Sequence, residues 1–488
     1  MLLSIASMIE NFGKNNIRYC LWKSNEHLEE ALAGNTDLDI LFDITQRMDL
    51  EMVLPLCGLK RFRATPLMQY NAIEDFIGFD TEAAKIWHLH VHYRMTLGEK
   101  HLKSYSVTPW ADIILENRVQ SAQGVYIVAP EYELILLLCR IALKLRLRDT
   151  GRRLENDDCM EIVYLLGEIN AQKMNIAARK LLGGKAAETV LKLIETPLEQ
   201  KNQFAELRKV LIKELEMFTG YSTFSSWIAR MRREFFWLYG GIKRRMGINN
   251  YEGSRRVSPY GGMVAVILGC DGAGKSTTLA AVRKEFSKKL DVVSLYFGSG
   301  DGDSAWFRYP LRLVARRIGG KGMGHHIEQE QNRGQASLKS AAYAIAKILW
   351  AVALAKEKKQ KLRRMTMARN HGLLVIADRY PQSSTPGYSD GPLLARYRTG
   401  SGLLKRLADW EYAIYDSASA NPPDLAIKLT VPTEIAILRK PEMTTEEIEK
   451  KKDAIDRMDG FRKTVHIDTS ESFASTKRKA MQAIWDMI

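Results

Sequence analysis

The 488-residue chain, 46% hydrophobic and 26% charged, is long enough for about two to four domains, and its composition excludes a globally disordered polypeptide. Its formal net charge of +15 attracts polyanions (nucleotides, nucleic acid or an anionic membrane surface) without choosing among them. Five scattered cysteines with no CxxC pair argue against a disulfide framework. The N-terminus lacks signal-peptide features and the longest apolar tract, 341–355, is interrupted by Lys347, so a cytoplasmic protein is expected.

In chain order, LDILFD (38–43), IWHLHVHYRM (86–95) and VYIVA (125–129) read as strands. From Pro130 the spacing turns helical, with proline suited to a first helical turn, and stays so to about Met246. Residues 1–130 are therefore expected to form a core, 131–246 a helical extension and 247–261 a linker rich in turn formers. From residue 262 to 488 five apolar strands alternate with helical segments, which implies a parallel sheet covered by helices.

The strongest motif is G-C-D-G-A-G-K-S at 269–276, which matches GxxxxGK[ST] at every fixed position, after an apolar strand and before a helix. Gly269, Gly272 and Gly274 let backbone N–H groups turn toward phosphate oxygens. The helix N-terminus adds partial positive charge. Lys275 is expected to reach the β- and γ-phosphates of ATP, and Ser276, followed by Thr277, to ligate Mg²⁺. A second apolar strand ends in Asp378-Arg379, where a carboxylate supports the metal and a guanidinium faces phosphate.

These residues, with the Asp378-Arg379-Tyr380 sequence and PDLAIKLTVPTEIAILR (423–439), resemble the thymidylate kinase group of nucleoside monophosphate kinases. The resemblance implies that Asp271 faces the acceptor, that Arg379 contacts phosphate and that Arg439 opens a mobile lid. The acceptor side departs from that group. Residues 296–303 (YFGSGDGD) replace its arginine-proline loop, the tract 306–369 is long, and 381–394 reads PQSSTPGYSDGPLL. An acceptor other than thymidylate is expected.

In the first half, Trp22-Lys23-Ser24-Asn25 precedes GNTDLDIL (34–41). Asp37 and Asp39 stand at i and i+2 of a strand, on one face. This resembles the nucleotidyltransferase fold of DNA polymerase β type, over about residues 15–195. There paired aspartates hold metal ions that bridge a triphosphate and an attacking hydroxyl. His90 occupies the place of a third carboxylate, sharing a face with His88 and His92, which implies an Mg²⁺, Mn²⁺ or zinc site of Asp37, Asp39 and His90. The alternative is a row of hydrogen-bonded histidines in a domain that binds without catalysing.

Two basic tracts remain. Residues 227–247 interleave aromatic and basic side chains and suit either an anionic membrane surface or a helix docked between domains. Residues 356–369 have helical spacing and form either a solvated face or part of the kinase's phosphate environment. No nucleic-acid-binding module is legible. The leading reading is thus a kinase transferring phosphate from ATP to a small-molecule acceptor, with a linked nucleotidyltransferase-like domain. The competing readings are a scaffold with one retired enzyme domain and an NTPase acting on nucleic acid.

Overall fold

Short runs of alternating or continuous apolar residues in the first half pair into a mixed sheet. The structure is a computed structural model that describes residues 1–146, 149, 151–245, 255–298, 338–384, 386 and 390–488. It divides into two compact units, Met1–Arg256 and Val257–Ile488. Residues 247–254 of the expected linker (247–261), and residues 299–337, which include much of the tract expected to depart from the thymidylate kinase pattern, lie outside the described residues.

In the first unit β1 (Tyr19–Leu21), β2 (Leu38–Phe42), β3 (Lys60–Ala64), β4 (Ile73–Asp80), β5 (Lys85–His92), β8 (Arg118–Gln120) and β9 (Tyr126–Val128) run in the order β3-β4-β5-β2-β1-β9-β8, while β6 (Met95–Leu97) and β7 (Tyr105–Val107) form a separate ribbon. The helix Leu3–Lys14 buries Ile5, Met8 and Phe12, an i, i+3, i+7 stripe, in the core that also holds Leu38, Ile40 and Phe42. Two registers matter for function. β2 and β5 are parallel with Asp39 opposite His90, and β4 and β5 are antiparallel with Asp75 opposite His90. His90 therefore sits on one rung between two aspartates, and only Asp39 was marked out by its sequence context.

The helix Pro130–Lys144 starts at its proline and is buried on nearly every side, so it acts as the axis on which the helices Ala171–Leu181 and Ala205–Glu214 pack. Within it Glu133 accepts hydrogen bonds from the Asn25 backbone N–H at 2.8 Å and side-chain Nδ2 at 2.7 Å. These fix the turn that follows Trp22-Lys23.

A two-residue strand, β10 (Arg256–Val257), lies at the division. In the second unit β11 (Met263–Gly269), β12 (Val292–Tyr296), β13 (Leu374–Asp378), β14 (Leu425–Thr430) and β15 (Lys463–Asp468) form one sheet in the order β12-β13-β11-β14-β15, every neighbouring pair parallel. Its central strands are almost continuously apolar because both faces are covered, as parallel sheets require. Asp378 stands in register with Ile267 on one neighbour and Tyr296 on the other, at the carboxyl edge where open α/β sheets bind ligands.

Burial pushes the Glu133 carboxyl up to about 7 despite the Asn25 hydrogen bonds. With a folded-state pKa above the unfolded one, its stabilising contribution is complete below the unfolded value of 4.5 and is lost as the pH rises through about 7. Glu133→Gln, which cannot ionise, is expected to gain stability relative to the parent protein between pH 5 and pH 8, by up to about 3 kcal/mol. Urea unfolding at the two pH values checks this, and a pH-independent difference would contradict it.

Candidate active site

The P-loop leaves β11 at Gly269 and enters the helix Lys275–Phe286. Gly272 and Gly274 take φ of +82° and +81°, left-handed values that L-residues adopt at a cost of about 1–2 kcal/mol. Neighbouring backbone also confines the loop. A Cβ on Gly272 would lie 2.8 Å from the Ala436 carbonyl, and one on Gly269 would lie 2.9 Å from the Leu429 carbonyl. Lys275 is buried, with its Nζ donating to the Cys270 carbonyl at 2.7 Å and lying 3.8 Å from Asp271 Oδ1. Burial and the nearby Arg379 push its pKa down. Ser276 and Thr277 are solvent-exposed in the first helical turn.

Asp378 ends β13 in a buried position, and its Oδ1 has no hydrogen-bond partner among the described residues. Burial raises its pKa, against the pull of Lys275 and Arg379. Arg379 adopts φ +66°, a left-handed conformation uncommon for a bulky residue, while its N–H donates to the Ile267 carbonyl at 3.2 Å. Its guanidinium bridges Asp271 Oδ1 at 3.3 Å and Asp390 Oδ2 at 3.6 Å.

Asp271 is the hub of this end of the sheet. Lys451, on the helix Thr445–Asp456, reaches its Oδ2 at 2.7 Å. Burial alone would raise the Asp271 carboxyl, but Lys275, Lys451 and Arg379 hold it down at about 2. Arg439 ends the helix Thr433–Arg439 and donates to the Gly272 carbonyl at 3.1 Å and the Thr469 carbonyl at 3.0 Å, so it braces the P-loop backbone. Beyond Arg379, Asp390 meets buried Lys358, whose Nζ donates to the Asp390 carbonyl at 3.0 Å and lies 3.4 Å from its Oδ1. Glu411 accepts from the Leu393 and Leu394 N–H groups. These contacts pin the segment that departs from the thymidylate kinase pattern. Lys358 thus leaves the basic run 356–369 for the site, whereas Lys451, Asp390 and Glu411 carried no local signal.

The first unit holds a second polar cluster. His88 Nδ1 is 3.1 Å from Asp37 Oδ2 and its Nε2 is 2.8 Å from Asp75 Oδ1. His90 lies 3.1 Å from Asp39 and 3.2 Å from Asp75, and His92 Nε2 lies 3.0 Å from Asp39. The single set of Asp37, Asp39 and His90 expected from sequence is thus divided into two potential ligand sets, Asp37-His88-His90 and Asp39-His90-His92, with His90 in both. Internal cations already touch the carboxylates: Lys23 meets Asp39 at 2.9 Å and Arg256 meets Asp75 at 2.7 Å. Burial pushes the pKa of His88 down, against the pull of Asp37 and Asp75, and that of His92 down to about 4. His90 is raised by Asp39 and Asp75 in spite of its burial. Lys103 and Lys144 are each pushed down to about 8, first by burial and then by other cations, among them Lys23 and Arg140. Lys23, in contact with Asp39, and Lys103, which feels its charge, thus put positive charge beside that carboxylate.

The second unit is an α/β P-loop domain with a parallel sheet. No family model matches the chain. It is 28% identical over 182 residues to the uncharacterized ATP-binding protein YghS of Escherichia coli K12, covering 37% of this chain and 73% of that protein. It is 29% identical over 230 residues to the uncharacterized ATP-binding protein YghR of the same strain, covering 46% and 86%. Among solved structures it is similar to thymidylate kinase from Candida albicans (17% identity, 46% of this chain and 91% of that one, TM-score 0.27) and from Ehrlichia chaffeensis (15%, 46% and 99%, TM-score 0.25).

Gly272→Ala combines a left-handed φ with a backbone carbonyl at 2.8 Å. It is expected to destabilise the second unit by about 2 kcal/mol or more. Thermal unfolding measures this, and an unchanged midpoint would show that the loop relaxes without strain.

Proposed function

We propose that the second unit is an ATP-dependent phosphotransferase that passes the γ-phosphoryl group to a phosphate or hydroxyl of a small-molecule acceptor. One observation carries this reading: the unpartnered, buried Asp378 oxygen stands at the same strand edge as Lys275 and the open Ser276 hydroxyl. A buried carboxylate oxygen without a donor is costly, and a cation beside it removes the cost. Asp378 and Ser276 are hard oxygen donors that fit Mg²⁺, which when bound would draw charge from the phosphate oxygens. The names of YghS and YghR as ATP-binding proteins support the choice of nucleotide.

The roles of the chain's own groups follow from charge. The inward N–H groups of the P-loop and the N-terminus of the helix Lys275–Phe286 hold the phosphates. Lys275 exchanges its Cys270 carbonyl contact for phosphate oxygens and stabilises the charge that develops there. Arg379, positioned by Asp271 and Asp390, orients the transferred or accepted phosphate. Lys451 reaches the same carboxylate from the region that follows Arg439. The segment pinned by Lys358-Asp390 and Glu411 shapes an acceptor site different from that of a thymidylate kinase.

Lys275→Ala is expected to lower kcat/KM for ADP formation at least about 100-fold with an unchanged circular dichroism spectrum. Asp378→Asn is expected to lower kcat while a fluorescent ATP analogue still binds. Full turnover in Lys275→Ala would end the phosphotransferase reading.

For the first unit we infer a divalent-cation and nucleotide site with slow or absent nucleotidyl transfer, supported by the two potential ligand sets that share His90 and by Lys103 near Asp39. Lys23 competes with the ion for Asp39. Lys23→Met is therefore expected to tighten Mn²⁺ or Zn²⁺ binding about tenfold, equivalent to about 1.4 kcal/mol. Calorimetric titration checks this. If neither the parent nor the variant binds metal, the cluster is a closed set of internal ion pairs and the unit is a scaffold.

A further inference from the structure

The helix Thr223–Arg245 belongs to neither site; its polar anchors lie on one side and a continuous apolar stripe lies on the other. One side is anchored to the first unit. Arg233 donates to the His101 carbonyl at 2.7 Å and to the Gln69 carbonyl at 3.1 Å, Glu234 pairs with Arg146 at 2.6 Å, and the Trp237 and His101 rings lie 6.0 Å apart. These contacts fix the rotation of the helix about its axis. On the side opposite Arg233, Phe224, Ile228, Met231, Phe235, Leu238 and Ile242 follow one another at intervals of three or four residues, the period of a single helical stripe. All six are 46–70% exposed. The stripe runs along a helix of 23 residues, about 34 Å, and such a surface is too apolar and too continuous to be left in water without a partner.

We propose that this helix docks on an anionic lipid bilayer, lying in the plane of the membrane with the stripe in the headgroup–acyl boundary. Charge selects this occupant. The helix carries six basic residues against one acidic residue, and Glu234, the acidic one, is already paired with Arg146 and Arg230. At 100° per residue Arg232 and Lys243 both fall along one edge of the stripe, and neither forms an ion pair among the described residues. Their side chains lie against the Phe236 and Tyr239 rings, at 6.0 and 4.5 Å from the ring centroids. An apolar face bordered by cations and aromatic rings matches the depth profile of an anionic membrane interface. A second copy of the helix packed antiparallel would set one basic edge against another. A nucleic acid would meet the apolar side chains with its phosphates. No helix among the described residues is long and apolar enough to cross a membrane, which fits a helix that lies in the plane.

The test is co-sedimentation of the full chain with vesicles, either phosphatidylcholine alone or equal parts phosphatidylcholine and phosphatidylglycerol. The parent protein is expected to pellet with the mixed vesicles and to stay in solution with phosphatidylcholine. The double variant Phe235→Ser/Leu238→Ser, altered only at exposed positions, should lose at least about tenfold in partitioning. Arg232→Gln/Lys243→Gln should lose most of the salt-sensitive part. Both variants should keep the parent's unfolding midpoint and vesicle-free ATP turnover. The proposal is overturned if the parent does not pellet, if Phe235→Ser/Leu238→Ser binds as the parent does, or if light scattering shows a parent dimer that the serine variant converts to monomer without any lipid binding by the parent. Binding to RNA that depends on Phe235 and Leu238 in the absence of vesicle binding would likewise overturn it.

Discussion

The close approach of the P-loop backbone to the ends of its neighbouring elements is the constraint on which the second unit depends. The Leu429 carbonyl closes on Gly269 and the Ala436 carbonyl closes on Gly272, leaving no volume for a side chain at either point. Pressed onto the edge of the sheet in this way, the loop must turn through left-handed dihedrals at Gly272 and Gly274 before the helix Lys275–Phe286 begins. That path puts Lys275 on the first helical turn, next to the end of β13, where Asp378 and Arg379 emerge. The order of strands completes the arrangement. Because β13 is the immediate parallel neighbour of β11, Asp378 lies in register with Ile267, two residues before the loop. Loop, lysine and carboxylate are thus brought together by backbone packing before any ligand is present.

Around this frame the charges are organised by competition for Asp271. Lys451 and Arg379 touch the carboxylate and Lys275 lies near it, so its negative charge is shared among cations that chemistry at this edge requires elsewhere. On the proposed phosphotransferase reading, a phosphate at the P-loop would offer Lys275 a stronger partner than the Cys270 carbonyl and would weaken its link to Asp271. Lys451 and Arg379 would then carry more of the compensation. The unusual backbone of Arg379 fits this role, because strain of this kind persists where surrounding contacts impose it. Asp390 holds the far side of the guanidinium, and buried Lys358 holds Asp390. The segment that holds Asp390 is therefore tied to the P-loop through a chain of ion pairs.

Local sequence revealed one part of this and concealed another, for a physical reason. The P-loop was legible because all its requirements are contiguous: an apolar strand, glycines at fixed spacing, a lysine and a helix. Asp378-Arg379 was legible because an apolar run stops abruptly at a charge. The alternation of β5 put His88, His90 and His92 on one face, where their rings adjoin one another. Lys451 and Asp390 were not legible, since each acquires its role from a partner more than thirty or a hundred positions away. Asp75 was hidden differently. In IEDFIGFD it reads as a charge on an amphipathic strand, and only the antiparallel register of β4 and β5 sets it opposite His90. Register is fixed by which face of each strand is buried, and that is a property of the whole sheet.

The same register sets the charge balance of the polar cluster in the first unit. Two aspartates on neighbouring strands face a single imidazole, and two internal cations face the aspartates. A closed set of this kind is nearly neutral and well hydrogen-bonded, which favours a stable fold without an ion. To bind a divalent cation the cluster has to release Lys23 from Asp39 and the proton that Asp39 and Asp75 favour on His90. On the inferred cation site, affinity would rise with pH, because deprotonation of His90 and metal binding are linked. The closeness of donor atoms from Asp39, His90 and His92 favours the inferred cation site instead, should Lys23 move away. The balance rests on the Lys23–Asp39 pair. Because Lys23 directly follows Trp22, and the turn after it is held by Glu133, whatever shifts the Asn25 turn also shifts the lysine that guards the aspartate.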